Sequence, residues 1–347
     1  VNKQARKLLS ITASLLLGAG LLGGVFYYVG WANTLEEISS LKAVGILAVA
    51  GNVIITLIMW ILGWWVMLRA YAIKIPLHRA VGARLSGFAV SYMTPSLYIG
   101  GEPVRALIAA DGSSAPVTRI FATIVVERFL GALSSIFFIL IGGFFALISP
   151  RVSPLERQAV LIGVPFLAFW IFVGLIDFAG NFKWISNMIR ALGKVLTRWR
   201  GGLERAASKV AETEDEIYNA FTKHLKAIFI ALLIQLLANF LMYIRPLIFF
   251  YFSSNRTLSF PELSLVFTLN IIMSTFFWIT PGGLGTAEAA LIGIFAIIGI
   301  AKDGAVAFSL SYKFFEMLIV TAGIVYLFHK GIARMVHRVR YGPQSNE

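Results

Sequence analysis

Thr94-Pro95-Ser96-Leu97-Tyr98-Ile99-Gly100-Gly101-Glu102 and Thr280-Pro281-Gly282-Gly283-Leu284-Gly285-Thr286-Ala287-Glu288 share one arrangement: a Thr-Pro pair, a glycine-bearing stretch, and a glutamate seven residues after the proline. Both lie in strongly apolar sequence. Proline and glycine interrupt helices, and a carboxylate in hydrocarbon costs several kcal/mol. So costly a pattern, repeated at one internal spacing, predicts an internally duplicated membrane protein with its working site at the breaks.

Composition agrees. Of 347 residues, 58% are hydrophobic and 14% charged, against about 25% charged in soluble domains. The expected fold class is an all-α polytopic membrane protein. The absence of cysteine excludes disulfides, thiolate metal sites and Cys nucleophiles. The net charge of +13 reads as a basic cytoplasmic face against anionic lipid; nucleic acid is not an expected partner. Lys3, Arg6 and Lys7 precede a long apolar run with no clear small-residue cleavage site, which fits a retained first span better than a signal peptide.

Six apolar stretches, near 8–30, 43–68, 119–148, 158–178, 227–252 and 305–328, reach the length of about 20 residues that a spanning helix needs. Two more regions, about 80–112 and 262–301, contain the breaks and read as helix, break, helix. If the six spans alternate, 21 lysines and arginines fall on one side and five on the other. That set includes Arg69, Lys74, Arg79 and Arg84 after the second span and nine cations between 179 and 226. The positive-inside rule then puts both termini in the cytoplasm. The first broken hairpin enters from the cytoplasm and the second from outside. Each half reads as span, span, broken hairpin, span, an inverted-topology repeat of the kind common in secondary transporters. The hairpins are either re-entrant or fully crossing. The expected units are a first membrane repeat over 1–150, a second over 151–330, and a basic tail over 331–347.

Within the second unit, Trp184, Ile185, Met188, Ile189, Leu192, Val195, Leu196, Trp199 and Leu203 recur at helical spacing among basic residues. That pattern predicts an amphipathic helix on the cytoplasmic leaflet within an insert of about 183–222. The following Glu212-Thr213-Glu214-Asp215-Glu216 reads as a solvated helix face, and 339–347 as a disordered tail.

Four cations, Arg105, Arg128, Arg245 and Lys313, and four carboxylates, Glu102, Glu127, Glu288 and Glu316, remain inside apolar segments, with Asp177 borderline. They balance, as intramembrane charges must if they pair. Glu102 and Arg105 share a helical face just after a break. Lys313 and Glu316 form an (i, i+3) pair, and Arg245 is explained most simply by snorkelling to the outer interface. Arg128 lies 26 residues after Glu102 and Lys313 lies 25 after Glu288, a second sign of duplication. The breaks at Thr94, Pro95, Gly100, Gly101, Thr280, Pro281, Gly282, Gly283 and Gly285 should free backbone N–H groups that attract anions. The structural alternative is a hairpin whose glutamates cap or pair locally. Trp64, Trp65, Trp184 and Trp199 fall near expected interfaces, and His78, His224, His329 and His337 map to cytoplasmic loops or ends. No Ser-His-Asp arrangement, Walker loop or HExxH string occurs, so no cofactor, metal or ATP-driven step is expected.

Thr280-Pro-Gly-Gly-Leu-Gly-Thr-Ala-Glu288, Gly100-Gly-Glu102-Pro-Val-Arg105 and the Glu127-Arg128 pair resemble the lysylphosphatidylglycerol synthase transmembrane-region family, which includes the flippase half of the multiple peptide resistance factor. The resemblance covers about 5–330 and implies an integral-membrane lipid transporter. In synthase-fused members, aminoacylated phosphatidylglycerol is moved from the inner to the outer leaflet. This chain reaches Glu347 soon after its last expected span, so lipid synthesis is not implied. Stand-alone relatives are often linked to other lipids, including polyprenyl and glycolipid carriers. Lys313 stands where many relatives carry arginine.

The resulting expectation is a lipid flippase of the inner membrane, not an enzyme. Its head group would sit between the hairpins, with Arg105 and Arg128 on phosphate. Glu102 and Glu288 would pair those cations or bind a cationic head-group moiety. The expected partners are phospholipids with anionic or aminoacylated head groups, with a separately encoded lipid synthase and a second copy of the chain as candidates. The rivals are an intramembrane lipid-modifying enzyme using Glu127 or Glu102 as general base, and a transporter of a small soluble solute.

Overall fold

The computed structural model describes Tyr27 and residues 31–94, 100–111, 113–277 and 280–341. The expected span 8–30, apart from Tyr27, and the break residue Pro95 lie outside the described residues. The ordered elements are α1 (Trp31–Ser40), α2 (Lys42–Ala70), α3 (Leu77–Met93), α4 (Glu102–Ala110), α5 (Val117–Ile148), α6 (Pro154–Gly180), α7 (Trp184–Val195), α8 (Arg200–Lys223), α9 (Leu225–Tyr243), α10 (Arg245–Ser254), α11 (Phe260–Phe277), α12 (Thr286–Ile297) and α13 (Lys302–Tyr341). Short 3₁₀ turns cover Thr197–Trp199 and Pro281–Gly283. No strand occurs among the described residues.

Five stretches, Lys42–Ala70, Val117–Ile148, Pro154–Gly180, Leu225–Ser254 and Lys302–His329, are long and apolar enough to cross a bilayer. Each contains one of the expected spans two to six. The helix expected to end before 339 continues through Tyr341.

Both Thr-Pro sites break the chain. Thr94 is extended (φ −91°, ψ 127°), as the residue before proline must be, and its hydroxyl donates back to the Val90 carbonyl at 2.8 Å. α4 starts at Glu102-Pro103, with proline in the first turn, where its missing N–H costs nothing. At the second break Gly282, Gly283 and Gly285 take φ of 60°, 62° and 79°, left-handed values that side chains resist. A Cβ on Gly282 would also enter the Tyr92 ring, so the second break lies directly against the end of α3.

The hairpins interlock with the opposite halves. α3 packs on α13, and α11 packs on α5. Glycine permits each close approach. A Cβ on Gly323 would overlap the Leu85 carbonyl, and one on Gly142 would overlap the Ser264 carbonyl. α2 packs along α9 and α10 between them.

Two large apolar cores result, beside a small cluster of Ala89, Tyr92 and Val320 between α3 and α13. One joins Trp64–Tyr71 of α2 and its end, Ala106–Ala109 of α4, Ile120–Leu130 of α5 and Ile228–Ala231 of α9. The other joins Val49 and Val53 of α2, Phe138–Ala146 of α5, Phe249 and Phe250 of α10, and residues of α11 and α12. The two hairpins therefore pack at opposite ends of α2 and α5.

The insert departs from the single amphipathic helix expected. It folds as two helices, α7 against α8, broken at 196–199. Only α7 keeps an exposed apolar face, including Trp184, Met188, Leu192 and Trp199 just after it. α8 packs on α5 and α6, with Phe221 against Phe129 and Phe178. The acidic stretch is not simply a solvated face. Glu214 is 5% exposed and accepts the N–H groups of Ile185 (3.0 Å) and Ser186 (3.3 Å), closing the start of α7. Asp177, also buried, accepts the Trp184 N–H. Trp64 is another correction. It is fully buried instead of interfacial, and donates to Thr123 at 3.0 Å.

Candidate functional site: a cationic cavity between the hairpins

Helix geometry turns adjacent residues about 100° apart, so Glu127 and Arg128 of α5 face different neighbours. Glu127, 2% exposed, is the hub of one cluster. Its Oε2 accepts Arg84 at 2.9 Å and Arg105 at 2.8 Å, and its Oε1 accepts the Gln235 amide at 2.8 Å. The Arg105 guanidinium stacks 3.8 Å above Trp64, a cation–π contact that offsets part of its desolvation. Arg128 pairs with Glu102 at 2.8 Å, and Glu102 also accepts the Gly100 N–H at 2.9 Å.

The second half repeats that last arrangement. Lys313 pairs with Glu288 at 2.6 Å, and Glu288 accepts the Gly285 N–H at 2.7 Å. Ser309 adds a hydrogen bond to Glu288 at 2.8 Å, and Lys313 donates to the Gly283 carbonyl at 3.1 Å. In both halves, the motif glutamate takes an N–H beside its break and a cation from a long helix of its own half. The near-equal sequence spacings thus correspond to equivalent ion pairs.

Local pairing does not occur as the spacing suggested. Glu102 and Arg105 part to different partners, because Arg128 and Glu127 on α5 meet them first. Lys313 and Glu316 also separate. Arg245 is not a snorkelling residue: it turns inward to Glu316 at 3.1 Å and Asn52 at 3.3 Å, with the Tyr312 ring 4.8 Å away. Arg84, assigned to the basic cytoplasmic face, is 5% exposed within the Glu127 cluster. Its flanks, Ala80-Val81-Gly82-Ala83 and Leu85, carried the signal, since α3 is already buried there. Gln235 and Asn52, both buried partners of the network, had no such signal.

These residues surround a cavity of about 550 Å³. It is lined by Arg84 and Phe88 of α3, Arg128 of α5, Asn270, Ser274 and Thr275 of α11, Leu291 of α12, and Ser309, Tyr312, Lys313 and Glu316 of α13. Arg245 closes another side. Both hairpins contribute to the wall. Four cations and one carboxylate, Glu316, line the space, while Arg105, Glu102, Glu127 and Glu288 stand behind it. Among the described residues no His, Cys, Asp and Glu cluster suits a metal ion.

The family described as the lysylphosphatidylglycerol synthase TM region matches residues 11–323. The chain belongs to that family. Relatives include a UPF0104 membrane protein of Methanothermobacter thermautotrophicus, 25% identical over 325 residues covering 89% of this chain and 91% of the relative. A UPF0104 membrane protein of Pyrococcus horikoshii is 20% identical over 323 residues, covering 88% and 93%. One from Methanocaldococcus jannaschii is 24% identical over 242 residues, covering 68% and 70%. No solved structure matches the chain. Family membership and the five long apolar helices make this a multi-pass membrane protein.

Proposed function

We propose that the protein moves a lipid between leaflets, with the head group in the cavity between the broken hairpins and the acyl chains in the bilayer. The observation that carries this reading is the cavity wall: four cations and one carboxylate enclosed by apolar helices. Charges buried there cost several kcal/mol each and need a purpose. A phosphate-bearing head group provides one, since arginine and lysine both recognise it.

The protein is an inverted repeat in the inner membrane with both termini cytoplasmic. Opposite placement of the hairpins along α2 and α5, and the matched pairs Glu102–Arg128 and Glu288–Lys313, support the repeat. Lysine and arginine bias supports the orientation. The hairpins turn back within the bilayer: α4 has 9 residues and α12 has 12, about 14 and 18 Å of helix against a core of about 30 Å. Transport is favoured over general-base catalysis because Glu102 and Glu127 are both held by arginines and neither lines the cavity.

Reconstitution into liposomes with a panel of labelled lipids and a labelled soluble solute tests the proposal. The wild-type protein should speed leaflet transfer of at least one lipid, and Glu102→Ala and Glu288→Ala should each slow it at least about tenfold, equivalent to ~1.4 kcal/mol. Wild-type rates in both variants would remove the site assignment, and transfer of solute alone would remove the lipid reading.

A further inference from the structure

We infer that the head group accepted by this cavity is a net monoanion, a phosphodiester with no compensating amine, and that a cationic aminoacylated head group is selected against. The inference rests on the reading of the cavity as a lipid head-group site and adds the charge class of its occupant.

The first observation is charge balance. Among the described residues the network holds five cations, Arg84, Arg105, Arg128, Arg245 and Lys313, and four carboxylates, Glu102, Glu127, Glu288 and Glu316. The difference of one arises because a single carboxylate, Glu127, serves both Arg84 and Arg105. A surplus positive charge in a low-dielectric wall is unfavourable alone and is balanced by one bound negative charge. A phosphodiester carries that charge. An aminoacyl ester bearing lysine adds two amines to one phosphate, so its head group is net positive and deepens the imbalance.

The second observation is where the charges face. Cations line the cavity, while Glu127 and Glu288 are 2% and 0% exposed and lie behind it. Glu316, the carboxylate on the wall, is already held by Arg245 at 3.1 Å. An incoming ammonium therefore finds no uncommitted carboxylate there, whereas a phosphate finds Arg128, which gives Nη2 to Glu102 but keeps its side chain 43% exposed, with further N–H donors on the guanidinium. Asn270, Ser274 and Ser309 add neutral polar groups suited to head-group hydroxyls.

The test is equilibrium binding to the purified full chain in detergent, read by native mass spectrometry. The probes are short-chain phosphatidylglycerol, its lysyl ester, phosphatidylcholine and free glycerol phosphate. Phosphatidylglycerol should bind at least about tenfold tighter than the lysyl ester. Arg84→Gln equalises cations and carboxylates and should bring the two within about threefold, provided its unfolding temperature shows a folded protein. Glu316→Gln changes the balance the other way and should widen the preference, which keeps the test alive if Arg84→Gln does not fold. Equal or tighter binding of the lysyl ester, or a preference unmoved by a folded variant, overturns the inference. Full displacement of the lipid by equimolar glycerol phosphate overturns a lipid as the source of the phosphate. Selective binding without leaflet transfer would leave the inference standing and remove the transport reading; selective transfer of the lysyl ester would do the reverse.

Discussion

Glu127→Ala removes the carboxylate shared by Arg84, Arg105 and Gln235. Both arginines are at most 5% exposed, and of the two Arg84 alone reaches the cavity, so Glu127→Ala leaves Arg105 buried with no counter-ion. Breaking a buried ion pair costs about 3–5 kcal/mol, and a lost hydrogen bond to a charged group about 1.5–3 kcal/mol. The terms overlap at one site, so the expected loss is about 5 kcal/mol, comparable to the whole stability of many proteins. Unfolding in mixed detergent micelles, followed by circular dichroism, measures it. The charge argument makes a sharper demand of the double variant. Glu127→Ala with Arg84→Met removes one of the stranded charges and should recover at least ~1 kcal/mol relative to Glu127→Ala alone. A loss under ~1 kcal/mol in the single variant, or a double variant that is simply additive, would refute the reasoning that Glu127 is the counter-ion of this cluster.

The chain has no cysteine, so single cysteines report sidedness directly. Ser114→Cys, after the first hairpin, should react with a membrane-impermeant maleimide from the same side as Lys209→Cys, and Thr257→Cys, before the second hairpin, from the opposite side. Labelling of Ser114→Cys and Thr257→Cys from one side would contradict the inverted arrangement. Gly142→Leu and Gly323→Leu should each separate a hairpin from its partner helix and cost at least ~2 kcal/mol by overpacking, whereas Gly51→Ala and Gly293→Ala, which meet nothing within 4 Å, should be neutral or stabilise by up to ~1 kcal/mol. Thermal unfolding of the four variants separates the two groups. Burial pushes the Asp215 carboxyl up, but hydrogen bonds from Lys183 and Asn181 outweigh it and hold it below its ordinary value. Its contribution is therefore present above the unfolded-state value of about 3.9 and lost as pH falls through the lower folded value. Hydrogen exchange in α7 should accelerate below that pH in the wild type and be insensitive to it in Asp215→Asn.

Length, apolarity and helix breakers were legible in the sequence because each acts locally. Proline at 281 and glycines at 282, 283 and 285 interrupt a helix whatever surrounds them, and Lys42–Ala70 is apolar along almost all of its length. The motif glutamates and the cations 26 and 25 residues later were legible as a repeated spacing, although not as partners. Partner choice depends on the long-range packing of α3 on α13 and α11 on α5, which no local rule encodes. That is why Arg84, about two turns inside a helix that begins among basic residues, read as a surface charge. Gln235 and Asn52 each stand within an apolar run, and only the packing of α9 on α5 and of α10 on α2 gives them a role. Glu214 was hidden for another reason. In a run of acidic residues, the one that turns under α7 is set by the angle at which α7 folds back on α8.

Asn270 is exposed to the cavity between the hairpins, and its cysteine variant would be the single thiol in the chain. Leaflet transfer of labelled phosphatidylglycerol by reconstituted Asn270→Cys, before and after reaction with a bulky maleimide, tests lipid passage through that space most directly. The account predicts transfer at near wild-type rate before reaction and at the rate of protein-free liposomes after it. Undiminished transfer with the cavity fully modified would contradict it.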